Sequence, residues 1–136
     1  MHQIARVLLN RMLVVAYCAM LPMATEAVGL GGVKVHSALG QPLSAEIEVT
    51  AIQAEEFSRV LAGIAKPEQY QVASLLYVPV LRQLRINPER RADGGTFLNI
   101  TSVVPIYEPT LVLLIDFNWG GGRLLQKYSI LLDPPK

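Results

Sequence analysis

Between Thr110 and Leu132 apolar residues recur at every second position. Leu111, Leu113, Ile115, Phe117 and Trp119 share one face of a first arm, while Leu124, Tyr128, Ile130 and Leu132 share one face of a second, with Gln126 the exception. The other face of the first arm begins apolar, with Val112 and Leu114, and turns polar at Asp116 and Asn118. Two such runs joined by Gly120-Gly121-Gly122 predict a β-hairpin. The apolar faces meet only when odd positions of the first arm oppose even positions of the second. That predicts a two- or four-residue loop, or a bulged turn, because a one-residue slip would turn the apolar set outward. Asp133-Pro134-Pro135 cannot continue a ladder and closes the domain.

Upstream, Val33, Val35 and Leu39 alternate with Lys34 and His36, and Leu43, Ala45, Ile47 and Val49 alternate with Ser44, Glu46, Glu48 and Thr50. Gly40-Gln41-Pro42 forms the turn between these strands. Pairing across a three-residue loop sets Lys34 opposite Glu48 and His36 opposite Glu46, opposite charges on the wet face. From Ala51 to Lys66 the period changes: Phe57, Val60, Leu61 and Ile64 recur at helical spacing behind Glu55-Glu56. Pro67 ends that helix and opens a second over Glu68–Leu75, with Tyr70 and either Val72 or Ala73 turned inward. Tyr77-Val78-Pro79-Val80 breaks it. Gln83–Asn87 reads as a strand with Leu84 and Ile86 inward, Pro88–Gly95 as an exposed connection with an Asp-Gly turn, and Phe97–Val104 as another strand. The fold class that follows is mainly β with a helical insertion. It is an antiparallel, Ig-like β-sandwich of about six to seven strands plus one or two short helices.

The first residues follow a different logic. His2, Arg6 and Arg11 precede an apolar run, Met12–Met23, that is too short to span a bilayer, and Thr25-Glu26-Ala27 supplies small residues for cleavage after Ala27. Residues 1–27 therefore read as a Sec-type signal peptide and 28–136 as one exported domain. Twelve Lys and Arg against eleven Asp and Glu, with no basic run beyond Arg90-Arg91, argue against a nucleic-acid partner. Cleavage removes Cys18 and His2 and leaves His36 as the one histidine, which excludes a disulfide, a cysteine nucleophile and a Cys/His zinc site.

Candidate chemistry is sparse. His36 opposite Glu46 fits a surface charge pair better than a general base, and strand alternation alone puts Glu46 and Glu48 on one face. Asn99-Ile100-Thr101 matches a glycosylation sequon, which requires a eukaryotic secretory route, and the three glycines lack the lysine of a phosphate loop. Tyr107 and Trp119 are the aromatic contact candidates, with Trp119 continuing a core face. Tyr107, Glu108 and Pro109 lie on a connection, where binding residues concentrate. The sequence predicts no catalytic residue, no metal site and no cofactor.

Three stretches carry a resemblance: Gly29-Leu30-Gly31; Ser37-Ala38-Leu39-Gly40-Gln41-Pro42-Leu43 with Ala45-Glu46-Ile47-Glu48; and Leu131-Leu132-Asp133-Pro134-Pro135. With Glu108-Pro109, Asn118-Trp119, Gly122-Arg123-Leu124 and Tyr128, they resemble, in order, the N-terminal periplasmic domain of the FimV/HubP/TspA polar landmark proteins. The resemblance implies a non-enzymatic interaction domain serving type IV pilus assembly, twitching motility or organisation of the cell pole. It implies as partner a periplasmic or inner-membrane protein of a pilus or polar complex, and no small-molecule substrate. In that family a LysM module, a transmembrane helix and a cytoplasmic region follow this domain; the present chain is expected to hold the domain without them. The alternative is a free-standing module that binds peptidoglycan through exposed aromatics such as Tyr107. An exported hydrolase dependent on His36 is the third reading.

Overall fold

The computed structural model describes residues 27–135 of the chain. The expected signal segment lies, but for Ala27, outside the described residues. Among the described residues, seven strands form two antiparallel sheets: β1 (Gly29–Val35), β2 (Pro42–Thr50), β3 (Leu61–Ile64), β4 (Leu84–Arg90), β5 (Thr96–Pro105), β6 (Thr110–Asn118) and β7 (Arg123–Leu131). One sheet has the order β1-β2-β5-β4 and the other β3-β6-β7. Two short helices, α1 (Ala54–Phe57) and α2 (Pro67–Val72), lie between β2 and β4, with a 3-10 turn at Pro79–Gln83.

The alternating positions build the core as read. Leu43, Ala45, Ile47 and Val49 of β2 meet Leu111, Leu113, Ile115 and Phe117 of β6 in one buried cluster, joined by Leu98, Ile100 and Ile130. The β6–β7 hairpin takes the odd-to-even register: Thr110 pairs with Leu131 and Asn118 with Arg123. Trp119 N–H donates to the Gly122 carbonyl at 3.2 Å, so Gly120-Gly121 is the two-residue turn, with Gly120 at φ +88°.

Four expectations are corrected. Residues 61–64 are not helical: α1 ends at Phe57, and Leu61–Ile64 pairs with Asn118–Ile115 of β6 as an edge strand. Four apolar residues fit either period, and the open edge of β6, distant in sequence, decides between them. The β1–β2 register differs by two. Lys34 opposes Glu46 rather than Glu48, His36 N–H bonds the Ser44 carbonyl at 2.8 Å, and six residues, 36–41, make the connection. Inside α2 Tyr70 is buried, but Val72 is 89% exposed and Ala73 is exposed too. The helix stops there because Ser74 turns left-handed at φ +58°, letting Leu75 N–H reach back to the Tyr70 carbonyl at 2.8 Å. Finally, β4 runs through Pro88 to Arg90, and the turn is confined to Arg91–Gly95.

Two tyrosine hydroxyls complete the polar accounting. Beyond the end of β3, the Tyr70 hydroxyl accepts the Leu114 N–H at 2.8 Å and donates to the Val112 carbonyl at 3.0 Å. It thereby stands in for the next residues of a longer strand. Tyr128 donates to the Gly31 carbonyl at 2.6 Å, tying β7 to β1 across the sandwich. Burial pushes both phenols above their ordinary range.

Candidate functional site

One pole of the sandwich gathers segments that are far apart in the chain. Leu39 N–H donates to the Asp133 carbonyl at 2.8 Å, and Gly40 N–H to the Ile106 carbonyl at 2.7 Å. In return, Ile106 N–H donates to the Gln41 carbonyl at 3.0 Å, and Leu132 N–H to the Pro109 carbonyl at 2.8 Å. The loop between β1 and β2, the connection between β5 and β6, and the residues after β7 are thus bonded through backbone groups alone. Gly40 holds φ +87°, which an L side chain rarely adopts, and this conformation is where the loop turns toward Ile106. Side chains finish the weave: Ser44 N–H donates to Ser37 Oγ at 2.9 Å, and Ala38 N–H to Gln41 Oε1 at 2.8 Å.

On this frame Ile106 is fully buried and its neighbour Tyr107 is 71% exposed. Glu108 is half-buried and Pro109 exposed. An anchored residue beside a displayed one gives Tyr107 a fixed base, so contact through its ring would cost little ordering entropy. A shallow depression of about 430 Å³ opens at the same pole, lined by His36, Ser37, Gln41, Asp133 and Pro134 among others. Trp119 is at the other end of β6. It is half-buried, stacked on Phe117 at 5.6 Å between ring centroids, and lies over the hairpin turn. A Cβ on Gly122 would come within 2.5 Å of its indole, so the third glycine makes room for the tryptophan.

Glu46 and Asp116 are each engaged by an arginine. Glu46 accepts a hydrogen bond from Arg91 and lies 3.4 Å from His36 Nε2. The Arg91 guanidinium in turn sits 4.3 Å from the centre of the Phe97 ring. The Arg91 hydrogen bond holds the Glu46 carboxyl below its usual range, and a carboxylate held ionised is a poor proton donor. Glu48 shares that face and is exposed. Asp116 and Arg123 form a two-point pair at the other end of the hairpin, one contact at 2.8 Å, and this raises the arginine's pKa. Among the described residues no cluster of three His, Cys, Asp or Glu could hold a metal ion.

The structure thus places Tyr107, Glu108 and Pro109 together at the bonded pole and keeps Trp119 away from them. Sequence reading missed the structural part played by Tyr70 and Tyr128, for which an isolated polar-tipped aromatic on an apolar face is the available signal. It also missed the exposure of Leu131 and Val103, at 71% and 85%.

Comparison with known proteins agrees with this architecture. The family model described as the FimV N-terminal domain, an Ig-like domain, matches residues 28–135. The motility hub protein FimV from each of two Pseudomonas aeruginosa strains is 37% identical over 110 residues. Those residues are 81% of this chain and 12% of each relative, so the chain spans about an eighth of the curated proteins it matches. No solved structure matches. On the family match, the ordered motifs and the two-sheet sandwich, the chain belongs to the FimV N-terminal domain family.

Proposed function

We propose that this chain is a non-enzymatic periplasmic interaction domain that contributes to type IV pilus assembly, twitching motility or organisation of the cell pole. Export by a Sec-type signal delivers it, and Tyr107, Glu108 and Pro109 take part in contacting a periplasmic or inner-membrane protein of such a complex. The observation that carries the reading is an exposed tyrosine held on a loop whose backbone is bonded on both sides, within a family whose relatives are named motility hubs. Glu46 and Asp116, on strand faces, are each held by an arginine, an arrangement that supports a structural role for these carboxylates rather than turnover. Deleting the gene in a pilated host should disturb twitching or pole-localised assembly. Unchanged motility and unchanged polar localisation would sink the proposal. Peptidoglycan binding predicts that the purified domain pellets with sacculi, whereas a protein-contact domain stays in the supernatant.

A further inference from the structure

The four outer strands are not equally protected. β1 carries an irregular register between Leu30 and Val33, and β3 is four residues long. In β4 the Arg91 N–H bonds the Gly95 carbonyl, so odd residues bond toward β5 and even residues point away. Pro88 therefore sits where its missing N–H costs no ladder bond and blunts the free side. β7 has none of these devices: it is nine residues long, regularly paired, and free of proline and glycine.

The orientation of its free groups follows from its ends. Trp119 N–H bonds Gly122 and Leu132 N–H bonds Pro109, so even residues of β7 exchange bonds with β6. The N–H and C=O groups of Arg123, Leu125, Lys127, Ser129 and Leu131 then point to the open side. Among the described residues no backbone bond between strands occupies that side. The side chains of the same five residues face outward. Leu125 and Leu131 are 43% and 71% exposed, Arg123 is neutralised by Asp116, and Lys127 is in no described ion pair.

We infer that the β7 edge accepts an extended segment of a partner polypeptide as an eighth strand. That segment carries a carboxylate opposite Lys127 and apolar side chains opposite Leu125 and Leu131. A second copy of this chain fits less well, because the antiparallel register that pairs all five free residues sets Lys127 against Lys127. The inference rests on the interaction reading only in taking a protein as ligand, and it uses a surface other than Tyr107.

The test uses the 15N-labelled chain and an acetylated heptapeptide, Val-Thr-Ser-Thr-Glu-Thr-Val, which in antiparallel alignment sets its Glu opposite Lys127. The amide signals of Leu125, Lys127 and Ser129 should shift, and replacing the peptide's Glu by Lys should weaken binding roughly two- to fivefold. Lys127→Glu should reverse that preference. Ser129→Pro removes an N–H on the free side only, so it should leave the melting temperature near the wild-type value and abolish the shifts. Absence of shifts at millimolar peptide, shifts confined to the Tyr107 loop, or a concentration-dependent dimer lost in Ser129→Pro would overturn the inference. Loss of twitching on gene deletion together with any of those results would sink the β7 proposal while leaving the broader function standing.

Discussion

The hydroxyl of Tyr70 takes the place of a strand residue beside Leu114, accepting its N–H at 2.8 Å while donating to the Val112 carbonyl. β3 is too short to cover the whole of β6, and a side chain from α2 finishes the ladder. Tyr70→Phe keeps the ring but leaves the buried Leu114 N–H without its partner. The expected loss is about 1–3 kcal/mol, read as a lower denaturation midpoint with an unchanged slope. A midpoint equal to wild type would mean that water or the backbone replaces the hydroxyl.

Ser74 ends α2 at φ +58°, a position glycine occupies without strain. Ser74→Gly should therefore stabilise the domain, by about 0.5–1 kcal/mol after allowing for glycine's greater freedom when unfolded. Thermal melts would show the gain as a rise of a few degrees.

Acid should weaken the fold partly through Glu46. Arg91 holds its carboxyl below the ordinary value of 4.5, so the unfolded chain binds the proton more readily. The resulting stabilisation is present above 4.5 and fades as pH falls through the lower, folded value. Glu46→Gln should flatten the decline in melting temperature on acidification from about pH 6 to about pH 3. An equally steep decline would place the acid sensitivity at other carboxylates.

Tyr107 and Leu113 should separate function from folding. Leu113 is fully buried, and its replacement by Ala is expected to cost about 2–5 kcal/mol. Tyr107→Ala, at an exposed site, should change stability by no more than about 0.5 kcal/mol. Introduced into the chromosomal gene of a pilated host, Tyr107→Ala should nonetheless reduce twitching at normal protein abundance. Wild-type twitching would remove this residue from the contact surface.

What the sequence revealed was whatever is written locally in side-chain polarity. Alternation located both arms of the β6–β7 hairpin and the odd-to-even parity of their pairing, because shifting either arm by one residue would expose Phe117 and Ile130; it left the loop length open. It found β2 and the inward Leu43–Val49 set for the same reason. It failed where the determinant is remote or carried by the main chain. β3 is a strand because β6 offers it an edge, and the β1–β2 register is set by a loop bonded to Ile106 and Asp133, almost seventy and one hundred residues away. At the candidate site, the exposure of Tyr107 was legible from its place on a connection. The weave of backbone bonds beneath it was not, since main-chain donors and acceptors leave no signature in residue type.

The direction of the strands has a mechanical consequence. β1 begins beside Thr50 and β7 leads to Asp133 beside Leu39, at the opposite pole, so the chain crosses the sandwich from end to end. A pull applied between residues 28 and 135 would run along the strands. It would load the β1–β2 and β6–β7 ladders side by side instead of unzipping them one rung at a time.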